Sequence, residues 1–175
     1  MSLGKYITRT VKPTMTVAGM HQGAYSAGDV VFDWTAFTLP KGGNRLIGAT
    51  AICRGADGAN HEQELELMFA TKTAGWGDTA SGSAPQSLGT EHATMLPTAN
   101  PSYNDIVGGF QLVAADFTHT ILPIGTTGVG TQVTPITLND YRYNDGVDAS
   151  DSLGNYTFYV AGTALTTPDF SSAVA

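Results

Sequence analysis

Four titratable residues lie within six positions of this chain, and no other stretch is as dense in groups able to bind a metal or move protons: His61, Glu62, Glu64 and Glu66. A metal site needs ligands that converge on one point. The alternation of residues 62–70 predicts a strand instead, which places the three glutamates on one face at intervals of about 6.8 Å. His61 has the parity of the other face or lies in the preceding turn. We therefore interpret the glutamates as a solvated row, open to a basic partner strand. The opposite face, directed to the core, carries Leu65, Leu67 and Phe69.

A second acidic group, Asp145, Asp148 and Asp151, lies in the polar stretch 143–155. Its spacing of three differs from the alternate spacing of a calcium loop, and no terminal Glu follows. Because Asp and Asn also cap turns with their own side chains, we favour a turn, although this remains the best place in the sequence for a bound cation.

No motif of the sequence nominates a catalytic or cofactor-binding group. The four histidines lack the paired spacing of a zinc site, and no nucleophile elbow is present. Residues 125–130, GTTGVG, lack the Lys-Ser/Thr of a phosphate loop and are expected to form a turn. Asp33 has the parity opposite to its aromatic neighbours, so we expect it to be hydrogen-bonded or solvated. Cys53, the single cysteine, reads as a buried, inert thiol in an apolar run. We expect no cofactor, no metal and no enzymatic activity.

Composition favours an all-β protein, because 21 Gly and 24 Thr accompany only 13% charged residues. Residues 73–175 carry one Arg against nine acids, a net charge of −8 within a total of −7. Such an acidic half repels phosphate backbones, which argues against a nucleic-acid partner. The N-terminus has no apolar signal region and no apolar run is long enough to cross a bilayer, so we expect synthesis in a cytoplasm and no membrane partner.

Strand-like segments recur along the whole chain. Residues 45–54 are apolar on both faces, which predicts a central strand, and Asp57-Gly58 predicts a hairpin from it into residues 62–70. We expect an extended segment at residues 1–18 and a long irregular loop at residues 72–104. The other predicted strands are 29–37, with Val30, Phe32 and Trp34 on one face, then 105–117, two short strands within 119–143, and 155–165. This pattern predicts a single domain, residues 1–175, folded as an antiparallel, jelly-roll-like β-sandwich.

Two aromatic groups are candidate partner contacts. Trp76 lies between two glycines of the long loop, where a large aromatic can anchor a partner surface or pack over the edge of the sandwich. Tyr141 and Tyr143 flank Arg142, an arrangement that suits a sugar or protein contact.

Three blocks of the sequence, residues 30–58, 64–72 and 155–164, form a distinctive series. They contain an aromatic-Asp-aromatic strand, a Pro-Lys-Gly turn, an Arg-headed hydrophobic strand, a Glu/Leu strand ending in Phe-Ala, and a Tyr-Val-Ala-Gly strand. The series resembles small virion structural proteins of tailed bacteriophages, especially marine phages and cyanophages. It includes no motif with known chemistry, so the resemblance implies no catalytic residues.

The resemblance implies a capsid decoration or cement protein, located in the virion, that binds the major capsid protein or other virion proteins. A neck, tail or receptor-binding component that recognises carbohydrate is the alternative. Repetition of one contact over a shell multiplies the affinity of such a protein for the shell. We also expect a homo-oligomer, and a trimer is one of the possible forms. We expect the N-terminal segment, which holds Lys5, Arg9 and Lys12, to pair as an added strand with the shell or with a sister subunit. The alternative is that this segment is an ordinary edge strand of the same sandwich.

Overall fold

A computed structural model of the chain describes residues 6–13, 25–40, 43–54, 64–71, 85, 87–96, 106–119, 127–132, 136–138 and 155–167. Over these residues the protein is all-β and antiparallel, and they contain no α-helix. The strands are β1 (Val30–Pro40), β2 (Asn44–Leu46), β3 (Ala49–Arg54), β4 (Leu65–Thr71), β5 (Ile106–Leu112), β6 (Phe117–His119), β7 (Thr127–Gln132), β8 (Ile136–Leu138) and β9 (Asn155–Ala164). A 3-10 turn, Ala114–Asp116, separates β5 from β6. The predicted all-β class is therefore confirmed.

The largest sheet has the strand order β1-β9-β4-β5. Along the first part of its two inner strands, β9 and β4, buried and partly buried side chains alternate. The predicted core residues of β4 are all buried, and so are the alternate residues of β9: Leu65, Leu67, Phe69, Tyr156, Phe158 and Val160. Period-two alternation therefore identified the inward face of β4 correctly.

The small sheets overturn one prediction. Residues 45–54 do not form one central strand with a hairpin into β4, because β2 pairs with β8, β3 pairs with β7, and β4 pairs with β5 and β9. Within the described residues β3 is an edge strand, in the order β3-β7-β6. Its residues are mostly apolar or small, and Ala49 and Ala51 pack against the core, whereas Ile52 is 67% exposed. Because Ile52 is apolar although it faces solvent, the sequence of this edge strand has the pattern of a central strand.

The glycine-rich stretch also differs from expectation. Residues 127–130 belong to β7 rather than to a turn, and Gly128 and Gly130 pair with Cys53 and Ala51 of β3. On its other side, β7 pairs with β6. Because β7 lies between two strands, its backbone amides and carbonyls have ladder partners on both sides, which offsets the poor intrinsic strand preference of glycine.

One large core cluster lies against the face of the main sheet that carries Phe69 and Phe158. Ile136 and Leu138 of β8 belong to this cluster, and Leu46, Ala49 and Ala51 pack against it while partly exposed. Its aromatic rings are in contact: Phe37 and Phe158 are stacked with centroids 6.0 Å apart, and Phe69 and Phe110 with centroids 5.8 Å apart. Each such pair contributes about 0.5–1.5 kcal/mol beyond its buried area.

Irregular register in β1 changes which of its side chains face the core. The register with β9 shifts between Val30 and Phe32 and again between Phe32 and Thr35. As a result Phe32 joins the large cluster, whereas Val30 and Trp34 contact a smaller cluster. The prediction that Val30, Phe32 and Trp34 share one face is therefore wrong for Phe32, because an extra residue in a strand reverses the parity beyond it.

Gly162 provides a test of this packing. A Cβ atom at Gly162 would overlap the ring of Phe32, which lies over that position. Replacing a strand glycine by alanine normally stabilises a protein by about 0.5–1 kcal/mol. Here we expect Gly162→Ala to lower the free energy of unfolding by about 1–3 kcal/mol, because it overpacks the core. Urea denaturation measures the change.

The matched control is the same substitution in a Phe32→Leu background, where the smaller side chain leaves room for the new methyl group. We expect the cost of Gly162→Ala to fall by more than half in that background. Equal costs in both backgrounds would show that Phe32 does not determine the requirement for glycine.

Candidate functional site

The glutamate row of β4 is only partly exposed to solvent. Glu64 and Glu66 are half-buried, and the same face of the strand continues into Met68 and the fully buried Ala70. The Glu64 Oε1 atom accepts a hydrogen bond of 3.1 Å from the backbone N–H of Ala114, at the start of the 3-10 turn. Glu64 therefore helps to build the β5–β6 connection. His61 and Glu62 lie outside the described residues.

Backbone amides are the commonest partners of the described carboxylates. Asp33 Oδ1 accepts from Trp34 N at 2.8 Å and from Leu88 N at 3.0 Å, so the expectation of a hydrogen-bonded Asp33 is confirmed. Asp29 Oδ2 accepts from Ser26 N at 2.8 Å, and Asp116 Oδ2 from Val113 N at 2.9 Å. A carboxylate that accepts a backbone N–H stabilises the local chain conformation. These acids position connections between strands.

A polar cluster that sequence reasoning missed joins residues 25–29 to residues 91–94. The hydroxyl group of Tyr25 donates to Glu91 Oε1 at 3.3 Å, and the ring of Tyr25 lies 4.4 Å from that of His92. The Thr94 hydroxyl donates to Asp29 Oδ1 at 3.3 Å. His92 has a positive φ of 63°, which is uncommon for a residue other than glycine. The two segments are about 65 positions apart, so no spacing motif could have indicated the cluster.

The electrostatics of this cluster keep Tyr25 protonated. Tyr25 is 1% exposed. Its burial raises the pKa of the phenol well above the ordinary value of 10.0, and the negative charges of Glu91 and Asp29 and the hydrogen bond to Glu91 raise it further. Tyr25 is therefore a hydrogen-bond donor at neutral pH rather than a nucleophile or a base. The cluster stabilises the contact between two segments.

In the described part of the chain, no three His, Cys, Asp or Glu side chains are grouped so that they could hold a metal ion. In the same residues, no helix has the length and apolar character needed to cross a membrane.

Among the described residues, five large apolar side chains are conspicuously exposed: Tyr6, Ile47, Ile52, Leu96 and Val113. Ile47 lies between β2 and β3 and is 51% exposed, and Ile52 lies within β3 and is 67% exposed. Exposed aliphatic side chains on a sheet edge are typical of surfaces that meet a partner.

In its described part, residues 6–13, the N-terminal segment contacts the domain through Arg9 and Val11. Arg9 Nε donates to the backbone carbonyl of Thr38 at 2.7 Å, and Val11 packs against the large core cluster while partly exposed. Lys12 is exposed. Residues 6–13 are not part of a strand, so an edge strand of this sheet is not formed in the described part of the segment. The expectation that Arg9 and Lys12 contact a partner stays a prediction.

The remaining candidate contact residues fall outside the described part of the chain. They are Lys5, Trp76, Tyr141, Arg142 and Tyr143, together with the candidate cation ligands Asp145, Asp148 and Asp151. Comparison of the chain with protein-family models, with curated proteins and with solved structures finds no match.

The raised pKa of Tyr25 predicts the behaviour of the protein at alkaline pH. Above about pH 10 the unfolded chain loses this proton while the folded chain retains it, so the free energy of unfolding falls as the pH rises. We expect Tyr25→Phe to show a shallower fall. Urea denaturation at several pH values measures the slope, and absorbance of phenolate counts the tyrosines that titrate while the protein is folded.

In the wild-type protein we expect Tyr25 to resist titration until the protein unfolds. Tyr6→Phe is the matched control, because it removes a phenol that is 85% exposed rather than a buried one. Identical slopes for wild type and Tyr25→Phe would contradict the assignment.

Proposed function

We propose that this chain is a non-enzymatic structural protein of a virion, a capsid decoration or cement protein that binds the outer shell at capsomer junctions. The proposal starts from the sequence resemblance to small virion proteins of tailed phages. The resembling blocks supply β1, β2, β3, β4 and β9, so they form both inner strands of the main sheet as well as an edge strand. The resemblance thus concerns the framework of the fold.

We further propose that the strands form a two-layer, jelly-roll-like sandwich. The support is the large core cluster, which combines residues from the main sheet with Ile136 and Leu138 of β8. Side chains of β2 and β3 pack against that cluster from their own sheets. Two antiparallel layers with one shared core are the usual solution for an all-β domain.

The exposed pair Ile47 and Ile52 is the observation that carries the binding role. Both belong to the Arg-headed hydrophobic strand of the resemblance, and both are more than half exposed. Burial of one such side chain contributes about 1.5–3 kcal/mol. A small contribution of this kind becomes effective on a shell, where many identical copies bind at once.

The use of the acidic residues fits a structural role. Four of the six described carboxylates accept backbone N–H groups and so support loops and turns. In this proposal the partners are the major capsid protein or other virion proteins. The chain also binds further copies of itself, and a trimer is one possible form of this oligomer. The N-terminal segment, with Arg9 and Lys12, lies near the contact with the partner.

Capsid binding can be measured directly with purified protein. We expect the protein to co-sediment with phage capsids in stoichiometric amounts and to protect them from heat or osmotic shock. Ile52→Glu should weaken this binding by about tenfold or more, because it places a charge in a desolvated apolar contact. The folded state should be little affected, since Ile52 is exposed.

Val113→Glu is the matched control, because Val113 is also an exposed aliphatic residue but follows β5. We expect this variant to bind capsids normally. Loss of binding in both variants would show a general effect of added charge, and a wild-type protein that never co-sediments would end the proposal. Binding to glycans without binding to capsids would favour the receptor-binding alternative.

A further inference from the structure

Residues 87–96, which we call the strap, form a small loop that closes on itself. The backbone N–H of Leu96 donates to the carbonyl of Leu88 at 2.8 Å, so the two ends of the loop meet. Inside it, Ala93 N donates to Thr90 O at 3.2 Å and Gly89 N to Ser87 Oγ at 3.1 Å. These internal hydrogen bonds hold the strap as a closed loop.

The strap is docked on the main sheet through a single fully buried side chain. Leu88 is 1% exposed and packs with Val30 and Ala161 in the smaller core cluster. Trp34, Met68 and Met95 line that cluster while remaining partly exposed. Leu88 thus fills a site built by β1, β4 and β9, on the face of the sheet opposite the large core.

The backbone of the strap also pairs with β1 as a short added strand would. Val30 N donates to Ala93 O at 2.9 Å, and His92 N donates to Val30 O at 2.9 Å. A bridge between Asp29 and Thr94 extends this pairing. Reciprocal backbone bonds of this kind, with one apolar anchor, are the mode in which extended peptides bind to the edge of a sheet.

Two carboxylates hold the strap at its ends. Asp33 accepts the N–H of Leu88 and Asp29 accepts the hydroxyl group of Thr94. Glu91 accepts from the buried Tyr25 between them. The strap also has positive φ angles at Gly89 and His92, so its docked form includes uncommon backbone conformations that these contacts must maintain.

We propose that the site beneath the strap is a peptide-binding groove on the edge of β1, and that its occupant in an assembly is the strap of a second copy of this chain. The contacts of the strap in the same chain show what a ligand of this groove must supply. They are a leucine anchor, two backbone hydrogen bonds to Val30, an N–H donor for Asp33 and an O–H donor for Asp29. A second copy presents the same ten residues. Exchange of an identical element joins two copies without any new contact type. This inference goes beyond the proposed function and does not depend on it.

The first test uses the 175-residue chain and a labelled peptide spanning residues 85–97. In wild type, the strap in the same chain competes with the peptide. Leu88→Ala removes the anchor of that competitor but leaves the groove intact, so we expect the peptide to bind this variant at least about tenfold more tightly. Fluorescence anisotropy measures the affinity. A peptide carrying the same Leu88→Ala change should not bind.

A second variant separates release of the strap from loss of folding. At Gly89 the φ of +131° disfavours any side chain, and a Cβ atom there would press on Leu96, so Gly89→Ala should loosen the strap without altering the sheet. We expect it to raise peptide affinity too, and hydrogen exchange to speed up in residues 87–96 but not in β9. Equal peptide affinity in wild type and both variants, or binding of the alanine peptide, would overturn the groove.

The second copy is tested by mixing two complementary variants. Leu88→Ala has an intact groove and a defective strap, whereas Asp33→Ala has an intact strap and a groove that lacks an acceptor for Leu88 N. We expect sedimentation to show a one-to-one dimer in the mixture and mainly monomers in each variant alone. Peptide binding without a mixed dimer would reject the second copy as the occupant.

Discussion

The burial of β9 on both faces is the constraint on which the rest of the described structure depends. One face of the strand sends Tyr156, Phe158 and Val160 into the large core, and the other carries Ala161, which is also fully buried. Each face therefore needs a cover. Residues of β8 pack with the first face, and Leu88 of the strap packs with the second. The long connection between β4 and β5 thus contributes to the core as well as joining strands.

The scarcity of charged residues explains how the described carboxylates are used. With 13% charged side chains, the chain has few groups for building ion-pair networks. Its acids instead accept backbone amides at 2.8–3.1 Å, and such charge-assisted hydrogen bonds are stronger than neutral ones. One carboxylate, that of Asp33, links two segments 55 positions apart by this means. A small number of charges can then support long connections rich in Gly, Ser and Thr.

The parts of the fold that sequence could predict are those in which side-chain alternation is strict. The two faces of β4 followed directly from period two. In β1 the register shifts beside Phe32 reversed the parity, and such irregularity leaves no mark in the pattern of residue types. In β3 the apolar but exposed Ile52 gave an edge strand the sequence pattern of a central strand. In β7 the glycines predicted a turn, although they pair with β3 in a strand. The cluster around Tyr25 depends on contacts between distant segments, which local patterns do not encode.

The outer edge of β1 is occupied at three places by three different kinds of group. Backbone atoms of the strap bond Val30, the Asp33 carboxylate accepts the N–H of Trp34, and the Arg9 guanidinium donates to Thr38 O. An open strand edge is a template for uncontrolled pairing between molecules. Each of these groups removes a donor or acceptor from that template, so the edge is protected against fibrillar aggregation along much of its length. This protection is reversible, because the contacts that provide it are non-covalent.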